Sequence, residues 1–255
     1  MSDADGDALG VLDRMTRILE AFDQDDGGMG ISELALRAGL PKSTVSRLVG
    51  TLVRQRYLER DGKHIHLGLR LFELGQLAQQ PRELRTAALP VMADLRNKTG
   101  QNLHLATRDG HEMVCIAVMR GRPTTPSRVR TGGRLPMHAT ALGKACLALA
   151  SPTDVDQVLA GELEAWTPRT ITDRPALRRQ LADIRRGELA AEVREFAPDV
   201  SCAAVPVRGP ADSVAAARSG SGDAADVDPG LLEQPLGAAA TALGLRLATM
   251  RSTLR

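Results

Sequence analysis

The stretch AGLPKSTVSRLVGTLVRQRYL, from Ala38 to Leu58, decides the reading of this chain. Val45, Leu48, Val49, Leu52 and Val53 recur at three- and four-residue spacing and so fall on one face of a helix. The other side carries Lys42, Ser43, Thr44, Ser46 and Arg47, and no acidic residue stands between Pro41 and Gln55. A solvated helix ordinarily mixes Glu with its Lys and Arg. A helix that enters a DNA major groove must instead bury one side on its own domain and offer short or hydrogen-bonding side chains to base edges. Pro41 is suited to the first turn of such a helix.

Outward from this stretch the pattern is three helices and a hairpin. Val11, Met15, Ile18, Leu19 and Phe22 predict a helix that stops at DQDDGGMG. Ile31, Leu34, Ala35 and Ala38 predict a shorter one, opened by Ser32 and Glu33 and closed at Gly39, a residue suited to a left-handed helix end. On the far side, YLERDGKHIHLG reads as two extended runs about Asp61 and Gly62. Two helices joined through a glycine, the second amphipathic and cationic, with a basic hairpin after them, make up a winged helix-turn-helix. From Arg37 to Arg70 the cations Arg37, Lys42, Arg47, Arg54, Arg56, Arg60, Lys63 and Arg70 face only Glu59 and Asp61, the electrostatic footprint of a phosphate-binding surface. Arg47 is the candidate reader of a guanine edge. Lys42, Ser43 and Thr44 suit phosphates through side chains and the helix amino terminus, with Ser32 and Ser46 as further DNA-contact candidates, and Arg54, Arg56, Arg60 and Lys63 suit positioning on the backbone.

Next, LRLFELGQLAQQP places Leu67, Leu71, Leu74 and Leu77 in helical register, with Pro81 expected to end the helix. The expected limits are therefore a winged helix-turn-helix over 7–68, a linker helix over 69–82 and a second domain over 83–255. In the latter, LRTAALPVMADLRNKTG reads as a helix, and QNLHLATRDGHEMVCIAVM as two β-rich runs joined through Asp109 and Gly110. TALGKACLALAS, PTDVDQVLA and RPALRRQLADIRRG read as helices, and ELAAEVRE, SCAAVPV and SVAAARS as strands. A last helix is expected from about Gly230, with Pro235 and Gly237 weakening its first turns.

The bulk composition narrows the function classes. At 255 residues the chain suits two modest domains, and 43% hydrophobic with 25% charged residues is the balance of a globular protein. Aromatic residues make up only 2%, which disfavours the base-stacking platforms of single-strand binders. Cys115, Cys146 and Cys202 lie far apart, against a disulfide framework or zinc ribbon and in keeping with a reducing cytoplasm. The opening MSDADGDALG is acidic and unlike a signal peptide, and no apolar run approaches membrane-spanning length, so a soluble cytoplasmic protein with no membrane partner is expected. The sequence lacks a G-x-S-x-G elbow, an H-E-x-x-H pair, a Walker loop and a Rossmann fingerprint, so no enzyme and no cofactor is expected. His104, His111 and His138 show no metal-ligand spacing.

ISELALRAGLPKSTVSRLVGTLVRQRYLERDGKHIHLGLRLFELG, together with GGRLPMHATALGKACLA and VSCAAVPV, resembles the IclR (isocitrate lyase regulator) family of bacterial transcription regulators over nearly the whole chain. The resemblance implies an α+β architecture: an amino-terminal winged helix-turn-helix, a linker helix, and a carboxy-terminal effector domain of GAF/profilin-like α/β fold. It implies homodimers or homotetramers that bind pseudo-palindromic double-stranded operators, usually as repressors and less often as activators.

In the second domain, GGRLPMHATALGKACLA reads by itself as a glycine-rich loop feeding a helix whose amino end can hold a small anion. The resemblance implies a small-molecule effector, a carboxylate in some members, held by backbone groups at Ala141 and Leu142, an acidic residue at Glu192, Cys202, and serines at Ser219 and Ser221. Alternate strand residues face one side, so both serines can enter one pocket if the strand reaches that far, and Arg218, between Ala217 and Ser219, then faces the other way. Cys202 as a small buried hydrophobe and Glu192 as a surface carboxylate remain the plain structural alternatives. The chain departs from the family pattern at Glu188, at the interrupted acidic run Glu192, Arg194 and Glu195, and at Arg218. An effector-independent regulator with a degenerate pocket, and an enzyme using the second domain, are the rival readings.

Overall fold

α1 (Val11–Glu20), α2 (Ile31–Ala38) and α3 (Lys42–Arg54) pack around one small core in the computed structural model, which describes residues 9–22, 27–121, 129–207, 214–219 and 229–253. The chain divides into two compact units, Met1–Gln79 and Gln80–Arg255. In the first, Ile18 of α1, Leu34, Ala35 and Ala38 of α2, and Val45, Leu48, Val49 and Leu52 of α3 are buried together with Leu40. The apolar stripe of α1 is only partly used: Met15, Leu19 and Phe22 are half-buried, whereas Val11 is exposed.

The α2–α3 turn is set by Gly39, whose φ of 61° lies in the left-handed region open to glycine. There its N–H bonds Leu36 O, the Leu40 N–H bonds Ala35 O, and the Leu40 side chain turns into the core, which is how a Schellman end satisfies helix carbonyls. Pro41 stands just ahead of α3 rather than in its first turn. Its ψ of 136° is extended, and its carbonyl accepts the Val45 N–H at 3.0 Å, so it acts as the N-cap.

The hairpin forms as β1 (Leu58–Asp61) and β2 (His64–Leu67), paired from Leu58 with Leu67 to Asp61 with His64. Met29 adds a third, one-residue strand through reciprocal hydrogen bonds with Ile65 at 3.0 and 2.8 Å, a feature too short to carry a periodic signal. α4 (Leu69–Gly75) follows, and α5 (Gln79–Thr99) starts after a turn. Pro81 therefore does not end a helix. It lies in the first turn of α5, where its missing N–H has no helical partner to lose.

The second unit is a six-stranded antiparallel sheet covered on both faces. Its strands β3 (Asn102–Asp109), β4 (Glu112–Met119), β5 (Arg134–Pro136), β6 (Ala190–Val193), β7 (Ser201–Pro206) and β8 (Val214–Ser219) lie in the order β5-β4-β3-β8-β7-β6. α6 (Ala141–Leu149), α7 (Pro152–Ala160) and α8 (Arg174–Arg185) share a core with Met113, Cys115, Ala190 and Ala204 on one face. α5 and α9 (Glu233–Thr253) share another with Leu103, Leu105, Ala117 and Ala203. Neighbouring residues of β3 and β7 thus face opposite cores, the period-2 consequence of a strand buried on both sides. The three residues of β5 are too few to show a period, and Pro235 sits in the first turn of α9, where proline is tolerated. Among the described residues no helix is long and apolar enough to cross a membrane.

Candidate functional sites

The core-facing stripe of α3 fixes what its other side can offer. Lys42, Ser43, Ser46, Arg47 and Arg54 are exposed and Thr44 is half-buried, with Ser32 exposed on α2 and Arg60 and Lys63 exposed on the hairpin. Ser43, Arg47, Gly50 and Arg54 follow one line along the helix, so an outward stripe of cations and small residues runs opposite the buried one. Its first turn contains no acid.

Several cations of the basic island are tied up locally. Arg37 bonds Glu33 at 2.8 Å, Arg56 lies 3.8 Å from Glu73, and Arg54 donates to Thr51 Oγ1 at 3.0 Å. Arg70 donates to the Gln55 carbonyl at 3.1 Å and covers the Tyr57 ring at 5.0 Å. Together with the Leu69 N–H on Glu59 Oε1 at 3.2 Å, these contacts anchor α4 by polar groups. Its apolar residues are left outside: α4 buries no side chain, and Phe72 is 63% exposed beside exposed Leu69 and Leu74, followed by exposed Leu77.

The second site lies where α6 meets the sheet. Thr140 caps α6, its Oγ1 accepting the Gly143 N–H at 3.1 Å and donating to Pro136 O at 2.8 Å. That leaves the N–H groups of Ala141 and Leu142 as first-turn donors of the helix. Ala141 and Leu142 line a cavity of about 20 Å³ with His104, Val129, Leu135, Thr140, Glu192, Phe196, Val200 and Cys202. Glu192 and Cys202 are register partners on β6 and β7, and their side chains come together with the α6 terminus. Glu192 is buried, not a surface carboxylate, and its Oε1 accepts the Phe196 N–H at 3.1 Å. His104 and Thr140 are buried polar members that the residue pattern alone does not single out as site residues. Two weak signals point to them: Thr140 ahead of an apolar helix is an N-cap signal, and His104 between Leu103 and Leu105 is a period-2 signal.

Ser219 ends β8 and pairs with Ser201, whereas Arg218 is level with Cys202 and Asn102. The register thus does not bring Ser219 level with the β7 residue that lines the cavity. Ser221 lies outside the described residues. Among the described residues no group of three or more His, Cys, Asp or Glu is placed to hold a metal ion.

Behind the cavity, Lys144 of α6 is 0% exposed and its Nζ lies 2.6 Å from both carboxylate oxygens of Glu195. Burial pulls the lysine below its ordinary pKa, while Glu195 and, more weakly, Glu192 pull it back up. α6 approaches the preceding segment backbone to backbone: a Cβ on Gly143 would stand 2.2 Å from Met137 Cα. Gly143→Ala is therefore expected to destabilise this unit by about 1–3 kcal/mol or more through overpacking. Thermal unfolding of the full chain checks this, and an unchanged Tm would refute the close approach.

Residues 11–62 match the IclR helix-turn-helix domain, and residues 76–241 match the bacterial transcriptional regulator IclR C-terminal domain. The chain belongs to the IclR family. As an IclR-family member it is a DNA-binding transcription regulator built from a helix-turn-helix unit and an effector domain. It is similar to the HTH-type transcriptional regulator XynR of Escherichia coli K12, 33% identical over 200 residues, which covers 77% of this chain and 79% of XynR. It is also similar to the HTH-type transcriptional repressor AllR of Klebsiella pneumoniae, 30% identical over 245 residues, 92% of this chain and 90% of AllR. Among solved structures, an IclR homologue from Microbacterium hydrocarbonoxydans complexed with 4-hydroxybenzoate superposes with a TM-score of 0.84 at 30% identity, covering 94% of this chain and all of that one.

Proposed function

We propose that this IclR-family chain is a repressor whose α3 reads an operator and whose effector domain takes a small carboxylate at the amino end of α6. Arg47 is the base reader. Ser32, Lys42, Ser43, Thr44, Ser46, Arg54, Arg60 and Lys63 hold phosphates and set the register. The exposed stripe of α3, with no acid in its first turn and its opposite face buried, carries this reading. Repression is supported by the similarity to AllR, a repressor. The effector assignment draws on the bound 4-hydroxybenzoate of the Microbacterium relative and on the cavity that collects Ala141, Leu142, Glu192 and Cys202. Ser219 and Ser221 join the effector contacts on the family resemblance alone.

The working form is a cytoplasmic homodimer or a tetramer of such dimers, with exposed Leu69, Phe72 and Leu77 about α4 as part of the self-association surface. Two copies of α3 then address the two halves of a pseudo-palindromic site. An effector that binds one dimer arrangement more tightly than the other shifts the population between DNA-competent and incompetent spacings.

Arg47→Ala tests the reading head. Specific operator affinity is expected to fall by about 1–3 kcal/mol at constant salt, with discrimination relaxed at one base pair per half-site. Binding titrations on operator and scrambled duplexes measure this. A folded Arg47→Ala chain that keeps both affinity and discrimination would remove Arg47 from the role.

A further inference from the structure

The cavity beside α6 is small. Its volume of about 20 Å³ is room for roughly one water, and any carboxylate must displace a wall to enter. Most walls are held in regular structure: His104 and Cys202 on strands, Ala141 and Leu142 on a helix already in backbone contact at Gly143. Val129, Phe196 and Val200 lie outside helices and strands, and of these Val129 and Val200 are buried while Phe196 is only half-buried. Behind the Phe196 ring stands Trp166, with centroids 5.0 Å apart and planes tilted by 54°, and Trp166 is itself 45% exposed.

The backbone leading into Phe196 is held at several points. Arg194 N–H donates to Val200 O at 2.7 Å. Thr167 Oγ1 donates to Arg194 O and Thr170 Oγ1 to Glu195 O, each at 2.6 Å. The Glu195 carboxylate sits on buried Lys144, and the Phe196 N–H is spent on Glu192. With the main chain held, the part left to move is the Phe196 side chain, and its neighbour Trp166 has solvent to move into.

We propose that Phe196 is the gate and size-determining residue of this pocket, with Trp166 as its backstop. The ring turns aside to admit a guest, and a larger guest needs a larger displacement of both rings. Its purpose rests on the effector reading of the cavity, but its mechanics do not require a known ligand. Phe196 shares the cavity lining with Glu192, His104, Cys202 and the α6 terminus.

Cys202 provides the test, because it lines the cavity. Cys146 is buried, and burial pushes the Cys115 thiol up to about 12, which keeps it protonated and slow. The full chain is reacted with methyl and with benzyl methanethiosulfonate, and each cysteine is followed by mass spectrometry. In the unaltered chain Cys202 should react with the methyl reagent much faster than with the benzyl one. Phe196→Ala should raise the benzyl rate by about ten-fold or more, a barrier change of about 1.4 kcal/mol, and narrow the methyl-to-benzyl ratio. Trp166→Ala should act in the same direction, and Phe196→Tyr should match the unaltered chain. Phe196→Leu serves if the alanine variant does not fold, with an intermediate ratio expected. Equal Cys202 rates and ratios in the unaltered chain and in a folded Phe196→Ala or Phe196→Leu would overturn the proposal. Protection of Cys202 by 4-hydroxybenzoate or pyruvate is a separate arm: its absence, with the ratios shifted as expected, counts against a carboxylate effector and leaves the gate established.

Discussion

Glu195→Ala is expected to destabilise the carboxy-terminal unit by about 3–5 kcal/mol, the size of effect seen when one partner of a buried ion pair is removed. The Lys144 side chain is 0% exposed and that of Glu195 only 9%, so water cannot replace the lost carboxylate. Burial already holds Lys144 below its ordinary pKa, and Glu195 is the chief opposing influence. Without it the folded-state pKa falls further, and the folded chain binds fewer protons than the unfolded one between that lowered value and the ordinary lysine value. Stability of the variant must therefore rise with pH through this window, because the cost of a buried ammonium disappears as it deprotonates. Glu195→Gln, which keeps a hydrogen-bond acceptor, should lose less. Lys144→Met with Glu195→Leu, which removes both charges, should recover most of the loss. Denaturant unfolding near neutral pH and at mildly alkaline pH measures all three. A Glu195→Ala midpoint equal to that of the unaltered chain would show that the pair does not hold this unit together. Because Glu195 also pins the loop that carries Phe196, the same variant should speed benzyl labelling of Cys202.

Lys42→Ala, Arg60→Ala and Lys63→Ala combined are expected to flatten the salt dependence of operator binding. Each phosphate contact contributes about 0.9 to the slope of log affinity against log salt, so the three proposed contacts in each subunit of the proposed dimer amount to a slope change of about 5. Between about 50 and 200 mM salt the unaltered chain should then lose on the order of 10³ more in affinity than the variant. The control is Arg37→Ala. Its guanidinium is committed to Glu33, and its loss should leave the slope nearly unchanged. Arg47→Ala should differ from both, changing discrimination between sequences more than the slope. Salt-titrated binding on one duplex separates the three classes, and a triple variant with the original slope would remove the island from the phosphate contacts.

Much of the reading head is legible in the residue order. The spacing of Val45, Leu48, Val49 and Leu52 can only bury one side of a helix, Gly39 can take the left-handed turn ahead of it, and the absence of acid marks the other side as unusual. Elements below the length of one period are not legible. Met29 as a one-residue strand and β5 as a three-residue edge leave no repeating pattern, and Pro81 falls in a helical first turn where the rule that proline ends helices does not apply. In the effector domain, Ala141, Leu142, Glu192 and Cys202 follow from the family pattern and do line one cavity. Phe196, His104 and Thr140 line it too and escape a reading by pattern, because no spacing rule links residues that only the sheet register and the seat of α6 bring together.

By itself, then, the order of residues determined local matters: where helices and strands repeat, where glycine turns the chain, and which face of α3 is apolar. These depend on interactions within a few residues, which periodicity and turn chemistry encode directly. The tertiary structure decided everything that depends on distant partners. It committed Arg37, Arg56 and Arg70 to neighbours and left Lys42, Arg47, Arg54, Arg60 and Lys63 exposed. It also buried Lys144 against Glu195, 51 positions away, and set Phe196 in the pocket lining just after two residues, Arg194 and Glu195, whose carbonyls are held by Thr167 and Thr170. Burial and pairing across such separations follow from packing, and packing is a property of the assembled fold.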